Sequence, residues 1–270
     1  MKQMDLWKYY DGKLKYPNMK KQILKLADSH IEIAQLYPEH AYAYACKNGP
    51  SHEIELGIVK SSIYSYEYAK NVLKGPFPLG EPEIAKDAGL SYRYSKYVLK
   101  GRFKLGEKAI SENEIYAVRY DEEILNGKFE LGKKSITPKA CFLYADVELK
   151  GPFKNGEPII AKSAHYSYVY ANEVLNGPFK LGEKTIAADD KYSYMYASSV
   201  LKGPFPLGEP EIAKNSRWSY EYANEALDGK PFPLGEPAIA KDNEYSKRYT
   251  QNVLKKDFYL DGKLICKYEG

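Results

Sequence analysis

The chain has 270 residues, 44% of them hydrophobic, with 40 basic side chains against 36 acidic ones and a net charge of +4. That balance excludes a strongly polyanion-directed surface unless the charges segregate in space, and no apolar run reaches the ~18 residues of a membrane span. Cys46, Cys141 and Cys266 stand far apart with no paired spacing, which fits a reducing compartment better than a disulfide framework; with no leader-like stretch after Met1, the expected location is the cytoplasm.

Residues 1–37 follow no repeat. Within them 20–27 reads as a helix, with Ile23, Leu24 and Ala27 on one face. A repeat array needs an atypical end unit to cover its first apolar face, and this segment is expected to be that cap.

From residue 38 to 257 the chain repeats. Gly49, Gly75, Gly101, Gly127, Gly151, Gly177, Gly203 and Gly229 are spaced 26 residues apart, except for one gap of 24 between Gly127 and Gly151. Lys256 takes the next slot, 27 residues on, because Lys230 is inserted. Seven residues upstream of each slot the residue is always tyrosine: Tyr42, Tyr68, Tyr94, Tyr120, Tyr144, Tyr170, Tyr196, Tyr222 and Tyr249. A fixed period of ~20–50 residues signals stacked repeats.

Each repeat predicts two helices. Asp87, Asn113, Ser163, Asp189, Asn215 and Asp242 stand where an N-cap is wanted, at the start of the longer helix. Gly101 and its equivalents stand where a C-cap glycine is wanted, and Pro76 and its equivalents then stop the helix. Leu90, Tyr94, Val98 and Leu99 share one face, the expected core. The shorter helix, at 80–86, has a proline and a glutamate suited to a helix start. Phe77, Leu79 and Ile84 are expected to pack onto the long helix. So are Phe103, Leu105 and Ile110, then Phe179, Leu181 and Ile186, then Phe205, Leu207 and Ile212. In the short unit Val118 replaces a tyrosine, Asp121 an alanine and Lys133 a glutamate. A change of twist is expected there, near Pro138.

The order of long helix, Lys-Gly-Pro turn, short helix and Ala-Lys-Asp-Ala link resembles the leucine-rich repeat variant over about residues 38–257. Tyrosine takes many of that family's aliphatic positions. The motif Ser-Tyr-x-Tyr-Ala…Val-Leu-Lys-Gly-Pro-Phe is also similar to tandem repeats in uncharacterised proteins of bacteria and tailed phages. The resemblance implies alternating α and 3₁₀-like helices in a right-handed superhelix, and for a phage protein the host cytoplasm. It implies no activity.

No catalytic constellation is legible. His30, His40, His52 and His165 stand in no recognisable arrangement with a nucleophile. His40, Cys46 and His52 are six residues apart, wider than the close pairs usual in zinc sites. No Gly-x-Gly-x-x-Gly or Gly-Lys-Ser loop is present, and the recurring glycines read as turn residues. Glu81, Glu107, Glu157, Glu183, Glu209 and Glu236 form a ladder that reads as helix N-terminal charge rather than catalytic pairs.

A second aromatic ladder, nine residues before the glycine slots, comprises Tyr66, Tyr92, Phe142, Tyr168, Tyr194 and Tyr220. Two helical residues turn the chain by about 200°, so these point away from the always-tyrosine face. Their neighbours one turn on, Lys70, Lys96, Asp146, Asn172, Ser198 and Asn224, are polar. The ladder is therefore expected to be half exposed. It either packs between adjacent repeats or presents an interaction surface.

The expectation is an all-α, right-handed solenoid of about eight or nine repeats, with a cap at 1–37 and a tail at 258–270. The expected role is a non-catalytic scaffold without cofactor, whose ladder binds another protein. Two rivals stand beside it. One is single-stranded nucleic-acid binding, with Lys74, Lys100, Lys150 and Lys202 on phosphates. The other is an enzyme or metal protein using the irregular N-terminus. No membrane partner is expected.

Overall fold

The computed structural model describes residues 30–270. The helix expected at 20–27 and most of the expected cap lie outside the described residues. The architecture is an all-α repeat. Among the described residues the strands form one antiparallel hairpin, Phe258–Leu260 with Lys263–Cys266, at the end of the chain. No helix among the described residues is long and apolar enough to cross a membrane.

One repeat shows how the sequence folds. Asp87 is extended, and its carboxylate accepts the Leu90 N–H at 2.7 Å, so it opens the helix Ala88–Tyr94 as an N-cap. Asn113, Ser163, Asp189, Asn215 and Asp242 cap their helices in the same way. The helix then widens into a π turn, Ser95–Leu99, and ends on Lys100 in the left-handed region at φ 51°. A 3₁₀ turn, Lys104–Gly106, leads into the short helix Glu107–Ser111.

Two expectations are corrected here. Gly49 caps the helix of the first repeat at φ 89°, but from the second slot on the left-handed residue is the one before the glycine. Lys74, Lys100, Asn126, Lys150, Asn176, Lys202, Asp228 and Lys255 all have φ between 49° and 56°. The wide turn closes with the Lys100 and Gly101 N–H groups both on the Ser95 carbonyl. The leucine of the turn is also not core. Leu79, Leu105, Leu131, Leu181, Leu207 and Leu234 are 44–59% exposed. The neighbouring phenylalanine goes inward in each case, since Phe77, Phe103, Phe129, Phe153, Phe179, Phe205 and Phe232 are buried.

The second glycine of each turn has a packing role. A Cβ on Gly208 would lie 2.6 Å from the Phe205 ring and 2.7 Å from Ser193 Cβ. The same squeeze occurs at Gly80, Gly106, Gly182 and Gly235. The serine it admits donates its hydroxyl to the carbonyl that ends the short helix: Ser91 to Ile84 at 3.0 Å, Ser193 to Ile186 at 2.9 Å, Ser219 to Ile212 at 2.9 Å.

The always-tyrosine slot ties the repeats together. Tyr94, Tyr120, Tyr170, Tyr196, Tyr222 and Tyr249 are fully buried. Each ring meets the phenylalanine of its own turn edge to face, as Tyr196 meets Phe205 at 5.1 Å. Each hydroxyl reaches back to the preceding turn. Tyr196 accepts the Phe179 N–H at 2.9 Å and donates to Glu183 Oε1 at 2.9 Å. Tyr94 does so with Phe77 and Glu81, Tyr170 with Phe153 and Glu157, and Tyr222 with Phe205 and Glu209. The glutamate ladder is thus a row of hydroxyl acceptors as well as helix N-terminal charge. Tyr42 departs from the slot. It is half-buried, its ring faces Tyr64 at 5.7 Å, and its hydroxyl accepts from Asn71. Its helix, Pro38–Asn48, stays α throughout and turns this tyrosine out of the core.

The chain divides into two compact units, residues 1–135 and 136–270. In the first, the long helices at Ser62–Tyr68, Ala88–Tyr94 and Glu114–Tyr120 stack in order. In the second, those at Pro138–Leu143, Ala164–Val169, Asp190–Met195, Ser216–Glu221 and Asn243–Tyr249 do so. The division falls in the short repeat. There 133–135 is a turn where the other repeats have a short helix. Phe129 N–H donates to Asp121 Oδ1 at 2.7 Å, so the aspartate takes the bond that a tyrosine hydroxyl makes elsewhere.

Burial, and next to it the Glu157 charge, pushes the Tyr170 hydroxyl up from 10.0 to about 12; burial first raises Tyr120 equally and Tyr94, Tyr196, Tyr222 and Tyr249 in the same direction. The folded state thus favours neutral tyrosine. The stability this gives is complete below the unfolded value near 10 and falls as pH rises through the folded values. Circular dichroism should show cooperative loss of helix between about pH 10 and 12, together with tyrosinate absorbance. Tyr196→Phe keeps the ring and strands the Phe179 N–H, and it should cost about 1–3 kcal/mol in denaturant unfolding. An unchanged midpoint would show that the hydroxyl contributes nothing.

Candidate functional site

The expected half-exposed ladder is largely buried. Tyr66 is 2% exposed, Tyr92 4%, Phe142 9%, Tyr168 8% and Tyr220 6%; only Tyr194 is half-buried. The cover is a second aromatic, eleven residues upstream of the glycine slot, supplied by the next repeat. Tyr92 lies against Tyr116 at 5.8 Å, Phe142 against Tyr166 at 6.0 Å and Tyr168 against Tyr192 at 6.0 Å. Tyr194 stacks on Trp218 at 5.3 Å and 18°, and Tyr220 meets Tyr245 at 6.0 Å. Of the two roles weighed for the ladder, packing between repeats is the one its contacts show.

The hydroxyls of Tyr92, Tyr194 and Tyr220 are anchored too. Tyr92 donates to Glu123 at 2.6 Å and accepts from Lys96 at 3.1 Å, and Lys96 pairs with Glu123 at 2.5 Å. Burial, then the Glu123 bond, pushes the Tyr92 hydroxyl up to about 12. Tyr194 donates to Glu225 at 2.5 Å, and Tyr220 accepts from Asn252 at 2.8 Å. Burial, and then Glu225, raises the Tyr194 hydroxyl. The Tyr92 and Tyr194 phenols are thus held neutral and are poor nucleophiles at ordinary pH.

The outer row is the candidate surface. In the second unit Tyr166, Tyr192, Trp218 and Tyr245 are half-buried, one per repeat. Cations sit on them: Arg217 lies 4.5 Å from the Trp218 ring centre, Lys191 5.3 Å from Tyr192 and Arg248 5.5 Å from Tyr245. His165 lies edge-on to Tyr166 at 4.7 Å. Acidic groups are interleaved: Glu244 pairs with Arg248 at 2.7 Å, and burial, then the charge of Glu225, raises the Glu221 carboxyl. Each outer ring is backed by a ladder ring and so held in one orientation. The 26-residue recurrence of Tyr166, Tyr192, Trp218 and, after the Lys230 insertion, Tyr245 was the sequence signal for this face.

The lysines expected to touch phosphates lie elsewhere. Lys74, Lys100, Lys150 and Lys202 end their helices, eight residues beyond a ladder position, or about 12 Å along the axis. Among the described residues no group of three His, Cys, Asp or Glu side chains is placed to hold a metal ion. His40 is buried against Tyr37, while Cys46 and His52 are exposed. Among the described residues no disulfide joins Cys46, Cys141 or Cys266. Compared with protein-family models, curated proteins and solved structures, the chain matches none.

Proposed function

We propose that the protein is a non-catalytic repeat scaffold that binds another protein through the outer aromatic face of its second unit. The observation that carries this reading is the row Tyr166, Tyr192, Trp218 and Tyr245, half-exposed and backed ring on ring. Rigid tyrosine and tryptophan rings supply contact area at low entropy cost, and with arginine they dominate interface hot spots. Arg217 and Arg248 stand among them. Stacking of nucleic-acid bases is the rival use of such a row. Two features favour protein: cations already cover the ring faces, and glutamates are interleaved where phosphates would pass.

The test is a triple variant, Tyr192→Ala, Trp218→Ala and Tyr245→Ala, compared with wild type for capture and then titration of a partner from the source cell. Hot-spot truncations cost about 2 kcal/mol or more each, so affinity should fall by well over tenfold while the helical dichroism persists. An unchanged affinity would remove the face from function. A steep log-linear salt dependence with a single-stranded oligonucleotide, at submicromolar affinity, would transfer the reading to nucleic acid.

A further inference from the structure

The outer aromatic row keeps polar atoms that the fold does not use. The slot tyrosines spend their hydroxyls inside the repeat array, as Tyr196 does on Phe179 and Glu183. In the outer row only the backbone N–H of each residue is bonded, to its helix cap. The Tyr166, Tyr192 and Tyr245 hydroxyls and the Trp218 indole N–H bond to none of the described residues, and none of them is buried without a partner, so each reaches solvent. A phenol can donate or accept, and an indole N–H only donates. The flat of the rings is already taken. Ladder rings lie against them, and Lys191, Arg217 and Arg248 lie over Tyr192, Trp218 and Tyr245. What the row offers a partner is ring edges and one polar atom per repeat.

The row is unbroken only in the second unit. Its position holds Tyr64, Leu90 and Tyr116 in the first unit, then Ala140, then the four aromatics in succession. Packed helices lie about 8–10 Å apart. His165 bridges two repeats, 4.7 Å from the Tyr166 ring and 5.4 Å from the Tyr192 ring, which holds successive outer rings to about that spacing. A partner that engages every ring must therefore present the same face, with a free carbonyl, about every 9 Å. An α-helix returns to one face about every 5.4 Å and uses its carbonyls internally. An extended strand returns after two residues, or about 7 Å. A polyproline II helix returns after three residues of about 3.1 Å each, and all its carbonyls stay unpaired.

We propose that the outer face binds a proline-rich segment in the polyproline II conformation, one three-residue turn per repeat. Proline rings lie against the edges of Tyr166, Tyr192, Trp218 and Tyr245, and the hydroxyls and the indole N–H donate to the peptide carbonyls. Aromatic-lined surfaces read such segments in this way, and the segment is ordered before it binds. The face carries both signs of charge, with Arg248 paired to Glu244, so the segment needs no net charge of its own. A single nucleic-acid strand would need open ring faces for its bases, and here those faces are occupied. The inference rests on the reading of this face as a protein-binding surface and names the partner's chemistry.

The probe is a fluorescein-labelled peptide of Pro-Pro-Ala triplets, titrated into the full chain by anisotropy. Four triplets should bind saturably and with little dependence on salt. Affinity should rise from two triplets to four and level off at five, since the row has four rings. Tyr166→Phe, Tyr192→Phe and Tyr245→Phe together keep the rings and remove three donors. The peptide should then bind about tenfold more weakly, while an unchanged thermal midpoint separates lost binding from lost fold. No saturable binding, an affinity independent of triplet number, or equal binding by the phenylalanine variant would overturn the proposal. So would equal binding of a helical Ala-Glu peptide of the same length, and oligothymidylate bound in place of the peptide would overturn it in favour of nucleic acid. The two readings fail separately. If no peptide binds but the Tyr192→Ala, Trp218→Ala, Tyr245→Ala variant still loses its partner, only the proline-rich occupant falls; if that variant keeps its partner, both fall.

Discussion

A buried tyrosine hydroxyl that bonds backward to the previous turn is the interaction on which the repeat depends. Burying a phenol without partners is costly. Here each partner is a group that also needs one. The turn phenylalanine exposes an N–H that no helix satisfies, and the glutamate begins a helix too short to keep its carboxylate in place by itself. One hydroxyl satisfies the first and fixes the second, as at Tyr222 with the Phe205 N–H and Glu209. The ring meanwhile packs on the following turn, as Tyr222 does on Phe232 at 4.9 Å. A single residue thus couples two turns, through its hydroxyl to one and its ring to the other.

The arrangement explains why tyrosine, rather than leucine or phenylalanine, fills the core slot. An aliphatic core would pack the helices but leave the turn amide and the carboxylate unpaired. It also explains the short repeat. A step of 17 residues from Phe129 falls on Asp146 because two residues are missing, and Asp121 takes over the Phe129 amide from within its own repeat. The glutamate slot there holds Lys133. The chain divides into its two units within this repeat. The repeat is therefore held by polar contacts as well as by apolar ones.

Much of this was legible in the residues. The period, the N-caps from Asp87 to Asp242 and the burial of the invariant tyrosine follow from spacing and side-chain chemistry alone. What was not legible depended on backbone detail or on neighbours. The helix ends in a π turn with Lys100 rather than Gly101 in the left-handed region, which no helical wheel at 3.6 residues per turn anticipates. Leu105 and Phe103 are both apolar, and only the turn geometry decides which goes inward. The ladder at Tyr92 has polar neighbours within its own helix, but its burial comes from Tyr116 of the next repeat. Helical periodicity within one helix carries no information about that cover. The outer face recurs in the sequence but was not picked out there, and its meaning came from the stacking geometry of Tyr194 on Trp218.

The proposed aromatic surface follows from the same division of labour. The tyrosine–glutamate–phenylalanine contact consumes the buried tyrosines and the glutamate ladder, while the outer aromatic row covers the inner ladder and stays half-exposed. Everything rests on that contact being formed in solution, and amide hydrogen exchange measures it at the atom concerned. The Phe77, Phe103, Phe153, Phe179, Phe205 and Phe232 amides lie in turns and bond only to a tyrosine hydroxyl. The account predicts that they exchange as slowly as the helical core amides of their own repeats. Exchange at the rate of unprotected turn amides would contradict it.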